Sequence, residues 1–266
     1  MRNLSKIGRI FYGLAIAVMG FDMIYYKDFP YMLLPQNYTL IPGITIIIFI
    51  FGILFILAGA CIVLEKKAKQ ASLLLGSVLL LIFCFYYIPY QLLSKSSYAH
   101  FGVWENAAKE LALAGGAFVI ASCFPGKNES YLIAFLGKLI PFGAIIFAIT
   151  IISFSIDHFL YAKEAAGYIP SWIPNHLFWM YFAGVALLGS GIAIILKIRT
   201  GLFAALLGLM IFIWFVSLHI PRVIAAPPTD MAGEIASALL ALAYSGIAFF
   251  IAGAFYNLRS EQKTKA

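Results

Sequence analysis

The chain has 266 residues, of which 63% are apolar and only 11% charged, and its mean hydropathy is +0.97. A soluble domain carries roughly 25% charged residues, so this chain cannot coat itself with a polar shell, and lipid is the solvent it is built for. The net charge of +7 does not point to nucleic acid, because the cations lie in short clusters between apolar runs, the pattern of topology determinants.

Eight apolar runs follow one another, each close to the roughly 20 residues that cross a bilayer. The first is predicted over Ile7 to Tyr25, behind a basic start, MRNLSKIGR, that resembles a signal peptide. No small-residue cleavage site with a polar segment follows it, so this helix is expected to be retained. The second runs Ile44 to Leu64, the third Ala71 to Tyr90 and the fourth Ala107 to Phe124. The fourth is the most polar, with Lys109 and Glu110 in its first turns. The fifth runs Leu139 to Phe159, the sixth His176 to Leu196, the seventh Leu202 to Ile220 and the eighth Ile235 to Tyr256. Backbone groups in hydrocarbon must pair within their own segment, so each run reads as helix. The expected fold is an all-α integral membrane protein of about eight transmembrane helices, with no length left for a separate soluble domain.

Lysine and arginine test that count. With the N-terminus in the cytoplasm, 13 of them fall inside and 5 (Lys27, Lys95, Lys109, Lys163 and Arg222) fall outside. This satisfies the positive-inside rule and puts both termini in the cytoplasm.

The two halves align at an offset of about 132 residues: Pro42 on Pro174, Gly52 on Gly184, Gly59 on Gly191 and Pro89 on Pro221. With small shifts for loop length, Asp22 matches Asp157 and Glu105 matches Glu234, and LALAGGAF at 111–118 echoes LALAYSGIAF at 240–249. Four spans is an even number, so the halves would insert in the same orientation as a parallel duplication. The units are residues 1–126 and 127–266. The first outer loop of each, KDFPYMLLPQNYTLIP and YAKEAAGYIPSWIPNH, is rich in proline and aromatics. These loops are expected along the outer surface, as anchors in the aromatic belt or as lids. Pro89 and Pro221 either kink their helices or end them. Gly13 with Ala17, and Gly189 with Ala193, are expected at close helix contacts. Cys61, Cys84 and Cys123 show no CxxC spacing and read as small packing residues.

Chemistry-bearing side chains fall on one side. All four histidines (His100, His158, His176 and His219) and eight of the eleven acids map to the outer side, so a site would open there. The second half is richer. Asp157 and His158 end the fifth span, His176 starts the sixth, His219 and Arg222 end the seventh, and Glu234 starts the eighth. The corresponding first-half positions are Asp22, Met23, Ile44, Tyr87, Tyr90 and Glu105, where only the acids are kept. The second half is therefore expected to hold the pocket and the first half to support it.

Three roles fit the cluster. Arg222 and a histidine would hold the carbonyl oxygens of a quinone while Asp157 or Glu234 carries protons. His158, His176 and His219 would bind a metal, although no HExxH-type spacing supports this and metal or haem is disfavoured. Otherwise the charges pair with one another and lock the helix ends. No Walker loop, GxGxxG after a strand or GxSxG is present.

The segments IGRIFYGLAIAVMGFDMIYY, GILFILAGACIVLEKKAK and ELALAGGAF resemble a DoxX-like membrane protein, and IDHFLYA, IPNHLFWMYFAGVALLGSGIAIIL and LLGLMIFIWFVSLHIPRVIA resemble the same unit again. The resemblance implies four-helix units in a bacterial cytoplasmic membrane. Some relatives are named as thiosulfate–quinone oxidoreductase subunits and others accompany redox or detoxification partners. It implies an extracytoplasmic redox partner and, if there is catalysis, a subunit or partner of a quinone-linked oxidoreductase. No catalytic residue carries over by motif. The competing expectation is a non-enzymatic lipid-binding, carrier or scaffold protein.

Overall fold

A computed structural model describes residues 3–34, 42–93, 100–124, 126 and 129–265. Arg2, Lys95 and Lys127, part of the topology count, lie outside the described residues. The chain is all-helical, and eight principal helices fall where the apolar runs do. They are α1 (Leu4–Tyr26), α2 (Ile44–Val63), α3 (Ala68–Leu93), α4 (Glu105–Ala121), α5 (Tyr131–Leu160), α6 (His176–Ile195), α7 (Thr200–Ala225) and α8 (Met231–Lys265).

Seven of the described helices are long and apolar enough to cross a membrane; α4, with 17 residues and three charges near its start, is the exception. Helix α5 begins well before the predicted Leu139. Ser130 caps a first turn by accepting from the Ile133 amide, and the chain continues through a 3-10 turn around Pro141. Large apolar side chains such as Ile46, Ile50, Ile53 and Leu57 of α2 point outward and are exposed. A shell of that kind is stable only against lipid, as a multi-pass membrane protein requires.

Each helix packs on the next around a closed ring, α8 returns to α1, and α4 meets α8 across the middle. Every residue from Ala112 to Ala121 is buried, which explains why this part of α4 is apolar all round and more than half alanine and glycine. Three of the contacts along the ring are glycine-paired. A Cβ on Gly8 of α1 would strike the carbonyl oxygen of Gly246 on α8, and one on Gly143 of α5 would strike that of Gly115 on α4. Gly20 faces Gly52 and Gly13 faces Gly59 in the same way between α1 and α2. Gly189, expected at such a contact, has nothing within 4 Å, because it lies on the outer face of α6.

The backbone repeats itself at the same offset. Helices α2 and α6 start at 44 and 176, α3 and α7 at 68 and 200, all 132 residues apart. Left-handed residues precede or join these helices in pairs: Gly43 and Asn175, Glu65 and Lys197, Lys67 and Arg199. Most telling are two π-helical turns, Phe83–Tyr87 and Phe215–His219, each ending two residues before a proline. Pro89 and Pro221 have no N–H to donate, and the register widens ahead of them. The Ile88 amide reaches back to the Phe83 carbonyl, and the Ile220 amide to that of Phe215. Neither proline ends its helix; both widen it.

The outer loops depart from expectation and from each other. In the first, Phe29, Met32 and Leu33 are buried in the main core instead of lying on the surface. The Phe29 ring meets Phe51 edge-on at 5.7 Å, and the Tyr87 hydroxyl donates to the Met32 carbonyl at 2.7 Å. In the second, a short helix, Ala162–Ala166, packs on Met180 at the start of α6 and leaves the bundle interior open. Residues 35–41 of the first loop lie outside the described residues. The cysteines are all free thiols. Cys84 and Cys123 are exposed rather than packed, and Cys61 is half-buried.

Candidate functional site

The space left open in the second half is a cavity of about 760 Å³. Its floor is apolar, built from Ile151 and Phe154 of α5, Met180 and Leu187 of α6, Met210 and Ile211 of α7, and Leu240 and Ala241 of α8. Its rim is aromatic, with Tyr161, Tyr168, Trp172, Trp179 and Trp214, and Tyr31 reaches in from the first outer loop. Two of these rings are held by hydrogen bonds: Trp179 donates to the Pro174 carbonyl at 3.1 Å, and Tyr31 and Ser237 share a bond at 3.1 Å. Tyr244 stacks on Phe154 and donates to the Lys109 carbonyl at 2.9 Å, which fixes the floor against α4.

The π turn of α7 puts His219 into this wall, and Arg222 follows one helical turn later. Arg222 is already engaged. Its Nε donates to Glu234 Oε2 at 2.9 Å, a second guanidinium nitrogen bonds Glu234 Oε1, and the group lies 4.6 Å from the Tyr168 ring centroid. This is the bidentate geometry arginine prefers with a carboxylate. Lys109 is likewise paired, with Glu105 at 2.6 Å, and its ammonium sits 5.0 Å from the Tyr31 ring centroid. The cavity's two cations are thus each neutralised by an acid.

Three of its other polar groups lack a full set of partners. Both Asp157 carboxyl oxygens and His219 Nδ1 are enclosed without a hydrogen-bond partner among the described residues. His158 is half satisfied. Its Nδ1 lies 2.7 Å from the Phe154 carbonyl, so that nitrogen carries the proton and Nε2 is left as an acceptor. The ring stacks on Trp214 at 6.0 Å. Unpaired enclosed polar atoms cost about 1–3 kcal/mol each, so Asp157 on α5 and His219 on α7 mark two points of the cavity where a partner belongs.

Of the residues singled out in the sequence, Asp157, His158, His219 and Arg222 line the cavity, and Glu234 stands behind Arg222. His176 starts α6 half-buried and does not join the wall. The three histidines are therefore not one ligand set, and among the described residues no group of three or more metal-ligating side chains is close enough to hold an ion. Glu105, assigned to the first half as a counterpart, lines the second-half cavity through its place at the start of α4. Asp22 and Tyr87 are buried in the first half, and Tyr90 stacks on Tyr86 with ring planes 3° apart. Sequence reasoning missed Lys109, Tyr31, Ser237 and Tyr244. The lysine in an otherwise apolar helix was the available signal; the others depend on packing between the halves.

No family model, no curated protein and no solved structure matches the chain.

Proposed function

We propose that the chain is a tandem fusion of two DoxX-like four-helix units, residues 1–126 and 127–266, that crosses a bacterial cytoplasmic membrane eight times with both ends in the cytoplasm. Its cavity opens on the extracytoplasmic side and binds a quinone-like lipophilic molecule in support of redox chemistry with a partner protein. The recurrence of helix starts, left-handed residues and π turns at one offset supports the duplication. So does the matched pairing of Gly8 with Gly246 and Gly143 with Gly115. The burial of α4 among longer helices supports counting it as a span, since a helix enclosed by others needs no lipid-matched length.

The observation that carries the binding reading is the cavity itself. At about 760 Å³ it is within the range that holds a small ring with part of a tail, apolar below and ringed by aromatics, with unpartnered polar atoms at Asp157 and His219. Trp172, Trp179 and Trp214 in its wall supply the assay. Titration of the purified protein with short-chain ubiquinone and menaquinone analogues is expected to quench tryptophan emission saturably and to weaken in His219→Ala and Arg222→Ala. Unsaturable quenching, or quenching unchanged in both variants, refutes the reading. One observation favours the alternative of a lipid-binding or carrier protein without redox chemistry: Arg222, a donor the quinone would use, is paired with Glu234.

A further inference from the structure

The two halves carry the same cavity, one filled and one open. In the open one, Ile151, Phe154, His158, Met180, Leu187, Ile211 and Tyr244 form the wall. Their counterparts in the first half are Ile16, Met19, Met23, Ile48, Phe55, Leu79 and Leu113. The correspondence runs at an offset of 135 along α1 and α5, set by Gly8 and Gly143, of 132 along α2, α3, α6 and α7, and of 131 along α4 and α8, set by Gly115 and Gly246. All seven counterparts are buried, in the core cluster that holds Phe29, Met32 and Leu33 and also Ile151, Leu187, Ile211 and Tyr244 of the open wall. The first outer loop enters its own half, with Phe29 against Phe51 and the Met32 carbonyl on Tyr87, whereas the second outer loop stays at the rim.

That internal occupant also meets the wall's polar group. Tyr87 ends the first π turn and donates its hydroxyl to the Met32 carbonyl at 2.7 Å. His219 ends the second π turn at the same position of the repeat, and its Nδ1 is enclosed with nothing to bond. The π turn and the position of the side chain at its end match; the carbonyl is missing.

We infer that the cavity's ligand is an apolar molecule bearing a carbonyl, accepted into the place of the Phe29–Leu33 segment with its carbonyl oxygen on the His219 N–H, as the Met32 carbonyl sits on Tyr87. This rests on the reading that the cavity binds a lipophilic molecule, and it adds which atom of that molecule is recognised and by what. A hydrogen bond made to an otherwise unpartnered enclosed polar atom changes affinity by about tenfold.

The test uses two probes of one shape, 1-phenyldecan-1-one and phenyldecane, titrated against tryptophan emission of the intact protein in detergent. Wild type is expected to bind the ketone about tenfold more tightly, with the ketone's carbonyl stretching band shifted to lower frequency on binding. His219→Tyr, which copies Tyr87, is expected to keep both the preference and the shift, and His219→Phe to lose both. Equal affinity of the two probes for wild type overturns the inference without recourse to any variant, and so does a preference that survives in His219→Phe. Saturable binding of both probes with equal affinity leaves the lipophilic-ligand reading standing; binding of neither probe and of no quinone analogue removes that reading as well.

Discussion

Replacing Gly8 by alanine tests the packing on which the ring of helices depends. The new Cβ would meet the Gly246 carbonyl oxygen and the backbone nitrogen of Phe250, and neither can rotate away, so α1 and α8 must separate. Overpacking of this kind costs about 1–3 kcal/mol, while alanine returns up to about 1 kcal/mol over glycine in a helix interior. Gly189→Ala carries the propensity gain alone, because nothing lies within 4 Å of its site. The two variants should therefore differ by about 1–3 kcal/mol in stability, on the order of 5–10 °C in Tm at the upper end for a chain of this size. Gly143→Ala, the counterpart of Gly8 in the second half, should fall with it. Thermal unfolding followed by circular dichroism at 222 nm in one detergent measures all three. If Gly8→Ala and Gly143→Ala melt at or above Gly189→Ala, the helices are not held at backbone contact and the paired-glycine ring is wrong.

Three further outcomes are expected. Glu110 is fully buried in α4 with both carboxyl oxygens unpartnered; Glu110→Gln should therefore leave the melting temperature unchanged or raise it, and a fall worth more than about 1 kcal/mol would reveal a partner that the geometry lacks. Glu234→Gln should destabilise by about 1–3 kcal/mol, less than for a fully buried pair because the side chains are 28% and 19% exposed. A double-mutant cycle with Arg222→Met reads the coupling, and zero coupling would refute the pairing. Tyr87→Phe should free the Met32 carbonyl and speed amide hydrogen exchange in residues 29–34, with about 1–2 kcal/mol lost; unchanged exchange would mean that the segment is held by its apolar contacts alone.

How much of this was legible follows from what each feature depends on. The spans were readable because lipid enforces apolar runs of fixed length, and their predicted edges at Ile44 and His176 coincide with the helix starts. The start of α5 was not, since Tyr131–Leu136 is too short a run to announce a helix until Ser130 caps it. Pro89 and Pro221 were visible as a pair, but a sequence offers no way to tell a π turn from a kink, because both answer the same missing N–H. The cluster of Asp157, His158, His219 and Arg222 was found by helix-end bookkeeping alone. That Glu105, a residue of the first half, also lines the second cavity follows from α4 sitting between α3 and α5, a fact of packing that no local pattern records. The filled first cavity had a signal that went unused: FPYMLL is bulky and apolar, whereas AKEAAG is small and charged, and only the former gains by entering a core.

If the halves are equivalent as proposed, that difference of one loop accounts for their asymmetry, and it can be reversed. At the offset of 135 that aligns α1 with α5, residues 163–168 (KEAAGY) stand where 28–33 (DFPYML) stand in the first half. Grafting DFPYML into 163–168 should drive a phenylalanine, a methionine and a leucine into the open cavity, each about 1.5–3 kcal/mol better buried than in water. The segment replaced is already ordered and partly helical, so the graft gives up the Ala162–Ala166 helix and the contact of Tyr168 with Arg222. The graft should abolish probe binding and shield Trp214 from iodide quenching. A graft that folds, keeps Trp214 accessible and still binds the ketone would show that the open cavity is defined by its walls and not by the loop, and the equivalence of the two halves would then fail as a guide to the ligand.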